Sequence, residues 1–205
     1  GKAVEDYKQL LLQGGIAFGT GEHPTTQLCL EWITNVLKDD TGDEVKMFLD
    51  YGAGSGVLGM AACTLKPDGL QSIGLEIDSD AIRIADANAV ANGVNMLSYL
   101  PRNLGDDDES ASLIMKAIQR STVDMLPEEM DGTHFDACAA NILAAPLISL
   151  RETIANMCKS GAKLGLSGIL EWQGEDVVEA YSEFFDDMKV EKEKGGWVLV
   201  SGTRK

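Results

Sequence analysis

The sequence has few basic residues, few cysteines and no long apolar run. Its 205 residues include 17 lysines and arginines against 33 aspartates and glutamates, a formal net charge of −16 at pH 7. Neutralising nucleic-acid phosphates needs a cationic face, so this charge argues against direct nucleic-acid binding. No run approaches the roughly 18 consecutive apolar residues of a membrane span, and no signal segment opens the chain. We therefore expect no contact with a membrane.

Four cysteines occur, and no two of them form a C-x-x-C pair. Their wide spacing disfavours both a disulfide framework and a structural zinc site. We therefore predict no metal site, and four small buried thiols in a reducing, intracellular compartment. The apolar fraction of 44% is that of a folded globular chain. The cysteines are Cys29, Cys63, Cys138 and Cys158.

Apolar runs of strand length alternate with amphipathic stretches of helix length over most of the chain. This alternation of predicted strands and helices indicates an α/β fold, with a mostly parallel sheet covered by helices on both faces. A Lys194-Gly195-Gly196 turn joins the last two strands into an antiparallel hairpin. The seven predicted strands are residues 47–49, 72–76, 96–100, 135–140, 162–167, 188–193 and 197–203. The predicted helices begin near residue 25 and cover 57–64, 78–90, 145–158 and 174–185.

We interpret residues 1–205 as a single domain, which is an ordinary length for one. Residues 1–16 form an N-terminal lead-in. Residues 101–134 interrupt this alternation with an acidic run at 106–109 and are too short for a core of their own. We expect this segment to be an acidic insertion or mobile excursion.

Two of the predicted strands end in residues that suit a nucleoside. In open parallel sheets, ligands bind beyond the carboxyl ends of the strands. Asp50 leads into a turn with Gly52, Gly54 and Gly56, whose backbone amides can approach a ligand closely. Glu76 ends the next strand, where a carboxylate can bind both hydroxyls of a ribose. The pair predicts a cofactor that contains adenosine.

The glycine turn favours S-adenosylmethionine over a dinucleotide. The dinucleotide fingerprint is G-x-G-x-x-G, and here Val57 stands where its third glycine should be. Asp50 would repel a pyrophosphate, whereas S-adenosylmethionine carries no phosphate and has an ammonium and a sulfonium group. An NAD-dependent dehydrogenase is the more distant alternative.

Two further segments bear on the chemistry. Asn141 ends the fourth predicted strand, where its amide oxygen could accept a hydrogen bond from an amine nucleophile, or where it could cap the following helix. Residues 17–26 form a glycine-containing loop that could close over a bound cofactor. Within that loop, Thr25 and Thr26 could instead cap the first helix. His23 lacks the partners of a metal ligand and is a weak candidate for a proton acceptor.

Together these segments resemble the ribosomal protein L11 methyltransferase (PrmA) family. The matching stretches are AFGTGEHPTTQLCL (17–30), LDYGAGSGVLGMAA (49–62), GLEIDSDAIRIADANAVANGV (74–94), ANILAAPL (140–147) and LGLSGILEWQ (164–173). The resemblance implies a Rossmann-like class I S-adenosylmethionine-dependent methyltransferase with a seven-stranded sheet. It implies S-adenosylmethionine as cofactor. From its place at a strand end, we assign Asn141 the catalytic role of orienting the amine nucleophile. The residues that the resemblance places around the cofactor are Phe18, Thr20, Gly21, Thr26, Asp50, Gly52, Gly54, Glu76 and Asn141.

The resemblance also implies a substrate, with two departures. The reaction would be methylation of lysine or α-amino groups of a basic protein, most simply ribosomal protein L11, in the cytoplasm or, for a eukaryotic source, in an organelle. Only sixteen residues precede Ala17, where the family carries a substrate-recognition domain, and the segment 101–134 is longer than the corresponding connection in the family. Glu76 also stands where many relatives have Asp, and either residue can bind a ribose. Alternatives are another protein, a small-molecule amine, or a non-catalytic cofactor-binding protein in ribosome assembly. The sequence leaves the oligomeric state open.

Overall fold

The computed structural model describes residues 8–12, 21–38, 44–102, 123–132 and 134–205. Within these residues the chain forms seven strands, six α-helices and two short 3₁₀ turns. The strands are β1 Met47–Tyr51, β2 Gln71–Leu75, β3 Met96–Tyr99, β4 Phe135–Asn141, β5 Cys158–Leu170, β6 Phe185–Lys194 and β7 Trp197–Arg204. The helices are α1 Pro24–Lys38, α2 Val57–Leu65, α3 Ser79–Asn92, α4 Ala144–Ser149, α5 Arg151–Met157 and α6 Gly174–Tyr181. The 3₁₀ turns are Glu128–Met130 and Glu171–Gln173.

The seven strands form one sheet in the order β3-β2-β1-β4-β5-β7-β6. Strands β1 to β5 are parallel, and β7 is antiparallel to both β5 and β6. The predicted mostly parallel sheet with a C-terminal hairpin is therefore confirmed. In the register, Tyr51 at the end of β1 lies between Leu75 of β2 and Ala140 of β4. The residues that follow these three strands consequently emerge side by side.

Helices cover both faces of the sheet, and each face buries its own apolar cluster. Side chains alternate along a strand, so Phe48 packs on the face covered by α1 to α3, and Leu49 packs on the face covered by α4 to α6. Trp32 of α1 lies so close to β5 that a Cβ at Gly165 would be 2.5 Å from its ring. Burial of these apolar side chains is the main force that holds the helices on the sheet.

Helix α3, predicted over 78–90, is capped at both ends and runs two residues further than predicted. The Asp78 carboxylate accepts a hydrogen bond from the Asp80 amide at 2.9 Å, which satisfies an otherwise free N–H of the first turn. Gly93 ends the helix in the left-handed conformation, with φ 62°. Only Ile77 and Asp78 separate Glu76 from the helix, so the start of α3 fixes the direction of the chain at the end of β2.

The predicted boundaries were wrong around β5 and β6. The helix expected over 145–158 is broken at Leu150, whose ψ of 4° does not continue a helix, and β5 begins at Cys158 instead of residue 162. Residue 185, expected at a helix end, opens β6. Pairing is the cause, because Cys158 lies opposite Phe135 of β4 and Phe185 lies opposite Arg204 of β7. Hydrogen bonds to a neighbouring strand override local helix propensity.

Other expectations concern the cysteines, the membrane and the acidic segment. All four cysteines are buried free thiols, as predicted. No helix in the described ranges combines the length and apolarity needed to cross a bilayer.

Residues 103–122 of the predicted acidic excursion lie outside the described residues. Just after them, Met125 bridges to Leu100 and Leu126 is buried, so this part joins the core.

Candidate cofactor site

The glycine turn after β1 is held against the end of β2. The amides of Gly52 and Ala53 both donate to the Leu75 carbonyl, at 2.8 and 3.0 Å. Gly52 has φ 77°, and a Cβ there would lie 2.4 Å from Cγ2 of Ile142. Glycine is therefore required on two grounds, since the backbone is left-handed and the loop after β4 leaves no room for a side chain.

Glu76 is bound by backbone amides on both carboxylate oxygens. Oε2 accepts from the Gly54 amide at 2.9 Å, while Oε1 accepts from the amides of Ile77 and Asp78 at 2.7 and 3.1 Å. A carboxylate has about four acceptor positions, so one remains on Oε2. The end of β2 and the glycine turn are thereby joined, with an acceptor position left for a hydroxyl group.

Asp50 is a buried carboxyl group with one oxygen unsatisfied. Its side chain is 1% exposed, and Oδ2 accepts from the Gly59 amide at 2.9 Å. Oδ1 has no hydrogen-bond partner among the described residues. Burial raises the pKa of Asp50 to about 7, the Gly59 bond opposes that rise, and the negative charge of Glu76 adds to it. A cation placed near Oδ1 would stabilise the ionised form of Asp50 and lower this pKa.

Asn141 at the end of β4 lies against Thr26 of α1. Its Nδ2 donates to Oγ1 of Thr26 at 3.4 Å, and Thr26 is completely buried. Helix α4 takes Leu143 as its N-cap without a side-chain hydrogen bond, so the capping alternative for Asn141 was wrong. Its amide oxygen is left for another donor. The structure thus brings together two residues that are far apart in sequence.

His23 belongs to the start of α1. Its carbonyl accepts from the Gln27 amide at 3.1 Å, its Nδ1 lies 2.8 Å from Oγ1 of Thr25, and its ring meets Trp197 edge-on at 5.2 Å. The alternative that Thr25 and Thr26 cap the helix was wrong, because α1 begins at Pro24 and both threonines lie inside it. Within the described part of the chain, no group of three His, Cys, Asp or Glu side chains could hold a metal ion.

A cavity of about 450 Å³ opens beside Glu76. It lies between the ends of β1, β2 and β3 and helix α4, with Ile77 and Ile142 among its apolar walls. Apolar walls beside a carboxylate suit a purine ring attached to a ribose. The lining residues are Tyr51, Gly52, Leu75, Glu76, Ile77, Pro101, Ile142, Ala145, Pro146, Ser149 and Leu150.

Four residues remain of those that the resemblance places around the cofactor, and the structure describes two of them. Gly54 contacts Glu76, as described, and Gly21 precedes α1 with φ 88° and open space where a Cβ would point. Phe18 and Thr20 lie outside the described residues.

Sequence reasoning missed two residues that shape the site. Gly168 has φ 83°, and a Cβ there would lie 2.3 Å from the Ile142 carbonyl oxygen. The signal was a glycine inside an apolar strand, which marks a close backbone approach. Asn88 is fully buried in α3, and its Nδ2 donates to the Ser55 carbonyl at 3.0 Å. Its signal was an asparagine within a helix, which propensity disfavours.

This strand order, with a glycine turn after β1 and an acid after β2, defines the class I S-adenosylmethionine-dependent methyltransferase fold. A family model described as ribosomal protein L11 methyltransferase (PrmA) matches residues 2–205. The chain belongs to this family.

Curated relatives carry the same family name. The ribosomal protein L11 methyltransferase of Pseudomonas putida strain GB-1 is 40% identical over 202 residues, 98% of this chain. That of Neisseria meningitidis serogroup C is 39% identical over 196 residues, 96% of this chain. The chain spans 58% and 55% of their lengths, respectively.

Solved structures share the fold. The ribosomal protein L11 methylase from Lactobacillus delbrueckii subsp. bulgaricus is 24% identical, with a TM-score of 0.68 over 98% of this chain and 91% of that one. An RNA methyltransferase from Salinibacter ruber, solved with S-adenosyl-L-homocysteine, is 17% identical, with a TM-score of 0.54 over 89% of this chain and 94% of that one.

Proposed function

We propose that the chain is an S-adenosylmethionine-dependent protein N-methyltransferase that acts on lysine or α-amino groups of ribosomal protein L11 in the cytoplasm. The observation that carries the proposal is the buried, unsatisfied carboxyl oxygen of Asp50 beside the glycine turn. A dinucleotide would bring a pyrophosphate anion to this turn, whereas S-adenosylmethionine brings positive charge. Relatives named for L11 methylation support the choice of substrate.

Each end of the cofactor has candidate residues. The cavity beside Glu76 would take the adenine, with Ile77 and Ile142 against the ring and the free position of Glu76 Oε2 for a ribose hydroxyl. Asp50 and Gly52 would line the methionine end. When bound, the cofactor would supply a methyl group on a positively charged sulfur.

The chain's own residues would prepare the acceptor amine. A lysine with pKa near 10.4 must lose its proton to attack, which costs about 4–5 kcal/mol at pH 7. Burial of the amine lowers that cost, because a desolvated ammonium is disfavoured. The Asn141 amide oxygen would then accept a hydrogen bond from the neutral amine and direct its lone pair. Thr26 orients Asn141 through the contact with Nδ2. Catalysis would rest mainly on this alignment.

Methyl transfer to purified, unmethylated L11 tests the proposal. The 205-residue chain is incubated with S-adenosylmethionine and L11, and mass spectrometry of the acceptor should show added methyl groups on amines. A second reaction offers a mixture of other basic proteins and small amines, because transfer only to these would exclude L11 as the substrate.

Calorimetric titration separates the remaining alternatives. Binding of S-adenosylmethionine without transfer to any amine would leave a non-catalytic cofactor-binding protein. Binding of NAD in its place would overturn the assignment of the site altogether.

A further inference from the structure

Three exposed hydrophobic side chains each lie two residues beyond the end of a strand on the carboxyl edge of the sheet. Among the described residues, six large hydrophobic side chains are exposed. Ile77 after β2 is 42% exposed, Leu143 after β4 is 65% exposed, and Trp172 after β5 is 75% exposed. Ile77 lines the cavity, but Leu143 and Trp172 do not. The proposed position of the cofactor therefore does not account for the exposure of Leu143 and Trp172.

Leu143 and Trp172 follow β4 and β5, two strands that are neighbours in the sheet. Asn141 pairs with Ser167 of β5, and Leu143 and Trp172 come shortly after these paired residues. The last turn of chain before Leu143 packs against β5 itself, since a Cβ on Gly168 would lie 2.3 Å from the Ile142 carbonyl oxygen. The proposed adenosine position occupies the β2 side. An acceptor amine that reached Asn141 from the β5 side would pass these two side chains.

Trp172 stands on an ordered turn. It belongs to the 3₁₀ turn Glu171–Gln173, and the Glu171 amide donates to the Gly196 carbonyl in the β6–β7 hairpin at 3.0 Å. The Gln173 side chain accepts from the Leu170 amide at 3.1 Å. Because these bonds order the backbone of the turn, a partner that covers the indole does not have to order that backbone, which favours binding.

Three acidic residues lie within four positions of Trp172 in the sequence. Glu171 is exposed next to it, and Glu175 and Asp176 are exposed in the first turn of α6. None of the three makes an ion pair among the described residues. An indole face beside carboxylates attracts cationic side chains, both through the ring and through charge. The surface thus complements a basic partner, which matches the net charge of −16.

We propose that Trp172 and Leu143 form a docking surface for a basic segment of the acceptor protein, adjacent in its sequence to the amine that is methylated. The inference rests on the proposed function and adds where the acceptor is held. A lysine or arginine side chain of that segment lies over the indole of Trp172, with Glu171 beside its charge. Leu143 contacts aliphatic side chains of the same segment.

Steady-state kinetics with unmethylated L11 as the probe test this surface. For Trp172→Ala we expect KM for L11 to rise about tenfold, equivalent to about 1.4 kcal/mol, with kcat within about twofold of the wild type. For Glu171→Gln we expect a rise of about threefold that disappears at high salt, because charge attraction is screened. The dissociation constant of S-adenosylmethionine should be unchanged in both variants.

Two control variants make comparable changes, an apolar truncation and a lost negative charge, at positions outside the proposed surface. Val90→Ala truncates a side chain on α3 that is 82% exposed, and Glu183→Gln removes an exposed charge beyond the end of α6. Both should keep the wild-type KM. If Trp172→Ala also keeps it while the wild type methylates L11, the docking surface is wrong and the proposed function stands. If the wild type transfers no methyl group to L11 or to other basic proteins, both proposals fail.

Discussion

The side-chain amide of Asn88 donates to the carbonyl of Ser55 at 3.0 Å. This hydrogen bond links α3 to the glycine turn after β1. One helical turn later, Asn92 donates to the Asn88 carbonyl at 2.8 Å and exchanges two hydrogen bonds with the backbone of Leu11. Two asparagines on one face of α3 therefore link the segment before α1 to the turn that the cofactor would contact.

Replacing Asn88 should loosen that turn. Asn88→Ala leaves the buried Ser55 carbonyl without this donor, which costs about 1–3 kcal/mol of unfolding free energy. We expect the dissociation constant of S-adenosylmethionine to rise roughly tenfold, as measured by calorimetry beside urea unfolding. Asn35→Ala, at an exposed position of α1, is the control and should change neither value. Unaltered affinity in Asn88→Ala would remove this residue from the positioning of the turn.

A side chain at Gly52 should disrupt the site for steric reasons. Gly52→Ala adds a left-handed alanine and a clash with Ile142, each costing about 1–3 kcal/mol. Gly93→Ala is the matched control, because its φ is 62° and no atom lies within 4 Å of its Cβ position. Thermal unfolding should show a much larger loss for Gly52→Ala, partly restored by adding Ile142→Ala. Equal losses at both glycines would exclude the clash.

Asp50 should make stability depend on pH. Burial raises the pKa of Asp50 to about 7, whereas an unfolded aspartate titrates near 3.9. Between these values the folded chain retains a proton that the unfolded chain releases. The stability that this proton provides is complete below about pH 4 and is lost as the pH rises through about 7.

Asp50→Asn tests this dependence. Relative to the wild type, the variant should gain stability from pH 5 to pH 8, by on the order of a few kcal/mol. Urea unfolding at both pH values measures the difference, and Asp68→Asn, at an exposed position, should show none. A difference for Asp50→Asn that stays constant with pH would show that Asp50 is ionised throughout.

Asn141 should affect turnover more than cofactor affinity. Misplacing the acceptor amine by about 1 Å costs on the order of a hundredfold in rate, and we expect Asn141→Ala to lower kcat by that factor. Thr26→Val removes the oxygen that contacts Asn141 and should give part of the loss, while Thr26→Ser keeps the oxygen and should be close to wild type. Unchanged kcat in Asn141→Ala, measured with L11, would exclude its role in alignment.

The order of strands and helices was predictable from the sequence, because the periodicity of apolar residues and the glycine turns are local signals. Sequence reasoning located Asp50, Glu76 and Asn141 at strand ends for the same reason. It placed the start of β5 and the end of the helix before β6 wrongly, because pairing across the sheet decides those boundaries. The contact between Asn141 and Thr26 depends on how α1 packs against β4, which no local pattern encodes.

The three backbone amides on Glu76 have a consequence for inhibitors. They hold the carboxylate and the glycine turn in one arrangement through hydrogen bonds of the chain's own backbone. The conformational entropy of this turn is lost when the chain folds, so a nucleoside arriving later does not have to order it. Rigid adenosine analogues with a locked sugar pucker should therefore bind without a penalty from the protein, which makes them suitable starting scaffolds for competitive ligands.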